Sequence, residues 1–257
     1  MARRFFVGTA GWTVPKALAH LFAESGTVLE RYASRFNAVE INSSFYRPHQ
    51  RKTYERWAAS APAGFHFAVK APRQITHELR LVGAQALLDP FLDQVGGLGP
   101  RLGPILFQLP PSLAFDDKVA AGFFAAWRAR FDGPTVCEPR HASWFSASAD
   151  RRLTDARIAR AAVDPSICAA AAKPGGSDEV LYFRLHGSPV IYQSPYGADR
   201  LRSLVLPPVE ASGSQPVWCI LDNTMFGAAA EDGLALTGLL ADEAGFGGDS
   251  CLPILSP

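Results

Sequence analysis

Eight times along the chain a short apolar run gives way to a polar or glycine-rich turn, usually followed by an amphipathic stretch. The runs are residues 5–8, 38–42, 66–70, 104–109, 135–138, 159–164, 181–186 and 217–222. Each holds four to six residues, mostly β-branched or aromatic, which predicts strands. Between them, apolar side chains recur at helical spacing. Residues 27–36 place Val28, Leu29, Tyr32 and Phe36 on one stripe, and 50–60 carry Tyr54, Trp57 and Ala58. Residues 84–95 carry Leu87, Leu88, Phe91, Leu92 and Val95, and 117–131 carry Val119, Phe123, Phe124, Trp127 and Phe131. The last such stretch, 231–243, carries Leu234, Leu236, Leu239 and Leu240. Residues 145–157 have room for one short helix, whereas 165–179, with Lys173-Pro174-Gly175-Gly176, read as a loop.

Strand–helix alternation through eight cycles implies a parallel sheet, and eight units at this length imply closure. The expected architecture is a single irregular (β/α)₈ TIM-like barrel over residues 1–257, with a polar pocket at the C-terminal strand ends. A doubly wound open sheet is the alternative, but no G-x-G-x-x-G or P-loop follows the first run.

In such a barrel, strand residues alternate between the interior and the helix layer, and the C-terminal strand ends build the site. Val39 and Ile41 share one face, Glu40 and Asn42 the other. Phe67 and Val69 oppose Lys70; Phe107 and Leu109 oppose Gln108; Cys137 opposes Glu138 and Arg140. Asp164 opposes Val163. Phe183 and Leu185 oppose Tyr182, Arg184 and His186, and Cys219 and Leu221 oppose Asp222, with Asn223 just beyond. Nearly every run thus ends in a charged or amide group aimed inward, an expensive arrangement unless the groups are paired, solvated or used.

Lys70, Arg140 and Arg184 place three cations in one mouth, and the planar fork of arginine suits carboxylate or phosphate. The first functional expectation is therefore an acid–base enzyme, a hydrolase, lyase or isomerase working without a metal. Its partner would be an anionic small molecule, a phosphorylated sugar or nucleotide fragment. Glu40, Glu138, His186 and Lys70 are its candidate catalytic residues. Lys70 joins them as a Schiff-base nucleophile if it is desolvated beside another cation. Asn42, Tyr46, Gln108, Arg140, Tyr182, Arg184, Asp222 and Asn223 are the candidate ligand-binding residues. Tyr192 and Tyr196 follow the seventh run, where an aromatic ring suits stacking on a sugar or base.

The second expectation is a divalent-metal-dependent hydrolase or isomerase on Glu138, Asp164, His186 and Asp222, although Arg140 and Arg184 would repel the metal. The third is a nucleic-acid module, with Arg47, Arg51, Lys52, Arg56 and Arg73 interleaved with Tyr46, Tyr54 and Trp57.

Composition changes this picture little. Hydrophobic residues make up 48% of 257, with 17 Phe and 5 Trp, enough for a large core. The formal charge of +1 gives no global pull toward nucleic acid or a membrane. The apolar stretch after Arg3-Arg4 breaks at Gly8-Thr9, too short for a signal core, and no window reaches the length of a membrane span. Cys137, Cys168, Cys219 and Cys251 lie far apart without C-x-x-C spacing, so buried, reduced thiols and a cytoplasmic location are expected. Oligomeric state is open.

In order along the chain stand Gly8-Thr9-Ala10-Gly11-Trp12, Val39-Glu40-Ile41-Asn42-Ser43-Ser44-Phe45-Tyr46-Arg47-Pro48, Phe67-Ala68-Val69-Lys70-Ala71-Pro72-Arg73 and Ile75-Thr76-His77. Then come Gln108-Leu109-Pro110-Pro111-Ser112, Glu138-Pro139-Arg140-His141, Ser143-Trp144-Phe145, Tyr182-Phe183-Arg184-Leu185-His186-Gly187 and Asp222-Asn223-Thr224. This series resembles the YecE-like family, a domain of unknown function (DUF72), over essentially the whole chain. The resemblance implies a (β/α)₈-like barrel with a polar mouth and carries no substrate, cofactor or catalytic residue with it. Pro139 departs from the bulky apolar residue expected there in relatives, and ends the fifth strand at Glu138.

Overall fold

The computed structural model describes residues 4–243; Cys251 and the two ends of the expected domain lie outside the described residues. Five of the predicted runs form strands with little adjustment: β1 (Phe5–Thr9), β2 (Ala38–Ile41), β3 (His66–Lys70), β4 (Leu102–Gln108) and β5 (Thr135–Glu138). The sixth divides into β6 (Ala159–Arg160) and β7 (Ala162–Asp164), and the following loop adds β8 (Gly175–Gly176). The last two are β9 (Leu181–Leu185) and β10 (Val217–Leu221).

The helices between them are α1 (Val28–Ala33), α2 (Ser43–Tyr46), α3 (Arg51–Ser60), α4 (Gln85–Val95), α5 (Asp117–Arg128), α6 (Ala147–Asp155), α7 (Ala198–Glu210) and α8 (Ala228–Glu243). Several starts are fixed locally. The Thr27 hydroxyl accepts from the Glu30 amide while the Glu30 carboxylate accepts from the Thr27 amide, a reciprocal cap on α1. The Asp116 carboxylate accepts from the amides of Lys118 and Val119 at the head of α5, and the Ser146 hydroxyl caps α6. The sequence pattern did not predict α2 or α7. Pro207 and Pro208 obscure α7, yet Leu201, Val205, Leu206 and Val209 are buried along one stripe, so packing holds the helix through them.

The fold is mixed α/β. Among the described residues the strands fall into two sheets, not the one closed ring expected: β1-β10-β9-β7, and β2-β3-β4-β5-β6-β8. All pairs are parallel except β6 with β8. Both gaps have a chemical reason. Between β1 and β2, side chains replace the ladder. Asn37 accepts from the Val7 amide and donates to the Phe5 carbonyl. The Tyr32 hydroxyl accepts from the Thr9 amide at 2.8 Å and donates to the Ala38 carbonyl at 3.0 Å. A single bridge, Ala10 with Glu40, completes that edge. At the other gap the chain changes partner: Val136 and Cys137 of β5 pair with Ala159 and Arg160 of β6, and Ala162–Asp164 then pair with β9.

Two cores lie on opposite faces of the strands. The larger packs Val39, Ile41, Phe67, Val69, Phe107, Cys137, Phe183 and Cys219 against the helices. The smaller joins the alternate positions, among them Phe6, Ala38, Ala68, Leu106, Val136, Tyr182 and Ile220. The alternation expected from sequence is therefore present in β2, β3, β4, β5, β9 and β10. Cys137 and Cys219 are buried free thiols and Cys168 is partly exposed. Among the described residues no helix is long and apolar enough to cross a membrane.

Candidate functional site

Two residues beyond the inner apolar layer, β2, β3, β4, β5, β9 and the end of β10 each present a polar side chain on the same face: Glu40, Lys70, Gln108, Glu138, Arg184 and Asp222. The same count excludes two expected members. On the sixth strand run Ala159, Ala161 and Val163 share the inner cluster, so Asp164 points away and accepts from Arg200 Nη2 at 3.0 Å. Asn223, one step past Asp222, gives its amide to the Ser194 carbonyl at 3.0 Å and to Asp232 at 2.7 Å. It ties down a loop and is fully buried.

Arg184 lies at the centre with no exposed surface. Its Nε and Nη2 form a fork onto Glu40 at 3.0 and 2.7 Å, Nη1 meets Glu138 at 2.5 Å, and Nη2 also reaches Asp222 at 3.2 Å. The Tyr182 hydroxyl donates to Glu40 at 2.8 Å. Buried carboxylates normally protonate; here burial pushes Glu138 up, but the guanidiniums of Arg184 and Arg140 outweigh it and hold the carboxyl well below its usual range. Burial opposes the charge on Arg184 as well, and Glu138, Glu40 and Asp222 reverse the balance so that it stays firmly protonated. Glu40, Tyr182 and Arg184, expected to meet a ligand, are instead closed off from solvent and bonded to one another.

The less completely covered groups form a second tier. His186 Nδ1 lies 2.9 Å from Asp222. Burial raises the Asp222 carboxyl, but Arg184 and His186 lower it further, so the carboxylate is ionised and Nδ1 must be the donor. That leaves Nε2 facing Arg140 Nη2 at 3.2 Å and Glu138 at 3.5 Å. Arg140 packs its Nε and Nη2 on Glu138 at 2.8 and 2.7 Å, and its side chain remains 27% exposed. Its Nη1 has no hydrogen bond among the described residues. Gln108 donates to the same Glu138 oxygen at 3.0 Å. Lys70 is 7% exposed and lies 4.1 Å from the Phe45 ring centroid.

Around this tier stand partly exposed Asn42, whose side-chain oxygen is buried without a partner, and Tyr46, which is 73% exposed on the rim. Tyr192 sets its ring edge-on to His186 at 6.0 Å. Tyr196, expected to stack on a ligand, is buried: its hydroxyl accepts from the Gly187 amide and donates to the Asp164 carbonyl, pinning the loop after β9. Sequence reasoning missed Phe45, Arg200 and Asp232, which act through residues remote in the chain and leave no local signal.

The metal set does not assemble, because Asp164 stands apart from Glu138, His186 and Asp222. Among the described residues no group of three or more His, Cys, Asp or Glu converges to hold a metal ion. The basic rim is likewise dispersed. Tyr54 is buried, Trp57 packs on Trp12 and His49, Arg51 bonds Glu55 and Asp93, and Arg73 pairs with Glu78.

The sequence profile of a family described as "Protein of unknown function DUF72" matches residues 6–250. The UPF0759 protein YecE of Escherichia coli K12 is 33% identical over 106 residues, 41% of this chain and 37% of that protein. The UPF0759 protein YunF of Bacillus subtilis 168 is 29% identical over 149 residues, 55% of this chain and 52% of that protein. The matched segments thus span about two fifths to one half of these relatives. Among solved structures, a DUF72 family protein from Thermotoga maritima superposes with a TM-score of 0.78 at 23% identity, covering 93% of this chain and 99% of that one. One from Enterococcus faecalis gives 0.77 at 18%, covering 98% and 100%. A xylose isomerase-like TIM barrel/4-hydroxyphenylpyruvate dioxygenase fusion protein gives 0.53 at 14%, covering 93% of this chain and 42% of that one. These likenesses show the fold alone.

Proposed function

The chain belongs to the DUF72 family of proteins of unknown function, and from that premise we propose that its mouth binds a small anionic molecule and transforms it by acid–base chemistry. The observation that carries the reading is the division of the cations. Arg184 is occupied by three carboxylates, whereas Arg140 Nη1 and Lys70 Nζ have no hydrogen bond or ion pair among the described residues. Arg140 seats a carboxylate or phosphate through its open edge. His186 is the acid–base group. Asp222 fixes its tautomer and stabilises the imidazolium, and Nε2 exchanges the proton with the ligand. Glu138 orients Arg140 and Gln108 and does not itself meet the ligand.

The two sheets are best read as arcs of one irregular barrel. The Tyr32 and Asn37 bonds and the Ala10–Glu40 bridge support this at one gap, and the Ala161 amide to the Cys137 carbonyl at 2.9 Å supports it at the other. The fusion-protein likeness to a TIM barrel agrees.

Thermal stabilisation by inorganic phosphate, small carboxylates and sugar phosphates tests the reading, because a ligand of the native state raises the melting temperature by mass action. A stabilising anion is expected to bind the Arg140→Ala variant roughly 10- to 100-fold more weakly, the worth of a hydrogen bond to a charged group. Equal stabilisation of both proteins, or none of the wild type, would count against it.

A further inference from the structure

Lys70 is the lysine that the fold takes inside. Lys16, Lys52, Lys118 and Lys173 are exposed, whereas Lys70 is buried at the end of β3 with its ammonium over the Phe45 ring. Three carboxylates stand nearby, but Glu40, Glu138 and Asp222 are all bonded to Arg184 and none comes within ion-pair distance of Nζ. Phe45 is itself held by α2, where the Ser44 hydroxyl donates to the Lys70 carbonyl at 2.7 Å and fixes the two elements together. The amine is therefore packed against an aromatic wall, within the field of a guanidinium held by three carboxylates, and has no ion-pair partner among the described residues. Burial first and Arg184 second bring its pKa down to about 8, against the pull of the carboxylates. A lysine placed this way has a free electron pair near neutral pH and is a nucleophile toward carbonyl carbon.

We propose that Lys70 forms an imine with a small aldehyde or ketone bearing a carboxylate or phosphate, the anion resting on Arg140. The inference rests on the anion-binding reading of the mouth. The Nζ electron pair adds to the carbonyl carbon and the carbonyl π electrons move to oxygen. The two amine protons pass to that oxygen, the first to give the carbinolamine and the second as the C–O bond breaks, the C=N bond forms and water departs. Amine and carbonyl compound give imine and water, with no oxidant or reductant. The imine withdraws electrons from the adjacent carbon, which is where an acid–base group such as His186 acts.

Trapping tests this. The full chain is incubated at pH 8 with glyoxylate, or separately with glycolaldehyde phosphate, in the presence of cyanoborohydride, and the adducts are mapped by peptide mass. Lowering the pKa from 10.5 to about 8 raises the free-amine fraction at pH 8 by on the order of 100-fold. Lys70 is therefore expected to be modified at least about 10-fold faster than any exposed lysine, even if its access is restricted. The faster probe tells carboxylate from phosphate. Arg140→Ala is expected to slow the Lys70 adduct, and Lys70→Arg to abolish it while thermal stabilisation by the preferred anion persists. Modification of Lys70 no faster than Lys16, or independent of Arg140, overturns the proposal. If either anion still stabilises the wild type in an Arg140-dependent way, the imine alone falls; if neither does, the anion site falls with it.

Discussion

Arg184 and Lys70 are both buried cations within one polar layer, yet they differ in what surrounds them. Arg184 has a delocalised charge and a fork that three carboxylates satisfy, so its burial is compensated. Lys70 has a compact charge and an aromatic neighbour, so its burial is not. Because the folded-state pKa of Lys70 is lowered, the unfolded chain binds the extra proton between pH about 8 and 10.5. The burden of the buried ammonium is then complete below pH 8 and is relieved as pH rises through that window. Relative to Lys70→Met, the wild type is expected to gain on the order of 3 kcal/mol as pH rises from about 8 to 10.5. Urea midpoints of both proteins across that range measure it, and a constant difference would show that Lys70 is not desolvated. Asp164 teaches the opposite lesson at this scale. Its position was readable, since Ala159, Ala161 and Val163 set the inward parity, and only its charge drew attention to it.

At the scale of elements, the seam between β1 and β2 is the place where backbone geometry and side-chain chemistry depend on each other. A Cβ at Gly8 would lie 2.1 Å from the Ala38 carbonyl oxygen, which belongs to the main chain of β2 and cannot swing aside as a side chain would. Gly8→Ala is expected to destabilise the fold by at least about 1–3 kcal/mol, the usual range for overpacking. Tyr32→Phe removes the hydroxyl but not the ring and leaves the Thr9 amide and Ala38 carbonyl unpaired, with an expected loss of about 1–3 kcal/mol. Guanidinium denaturation reads both, and a Tyr32→Phe protein as stable as wild type would mean the seam is not held by that hydroxyl. The sequence marks Gly8 and Tyr32 without showing that they meet. The five predicted helical stretches were legible because each presents an unbroken stripe. By contrast, α7 was hidden by two prolines and is sustained by its buried stripe of Leu201, Val205, Leu206 and Val209, which joins the larger core.

For the whole molecule, the decisive feature is a charge network contributed by β2, β5, β9 and the turn after β10. Removing its hub leaves Glu40 buried without an ion-pair partner and Glu138 with Arg140 alone, so Arg184→Met is expected to lose about 3–5 kcal/mol at pH 7. Glu138 and Asp222 titrate below their ordinary values of 4.5 and 3.8, so the stability they confer is present above those values and lost as pH falls beneath them. In the variant the stranded carboxylates prefer their protons, and the gap between the two proteins is expected to narrow between pH 7 and about pH 4. Chemical denaturation at several pH values measures the gap, and a gap that widens toward acid would refute the network as described.

The sequence by itself determined the alternation of strand and helix, the two-residue parity and the presence of a polar layer at the strand ends. These follow from local periodicity, which the chain carries in every segment. Only the tertiary structure decided how the layer divides, with Glu40, Tyr182 and Arg184 fully covered and Lys70, Arg140, His186 and Asp222 less completely so. It also decided that Asp164 and Asn223 serve other contacts. Which carboxylate meets which cation depends on distances between strands far apart in the chain. Burial, which sets whether a charge is compensated or available, arises only when those strands are brought side by side.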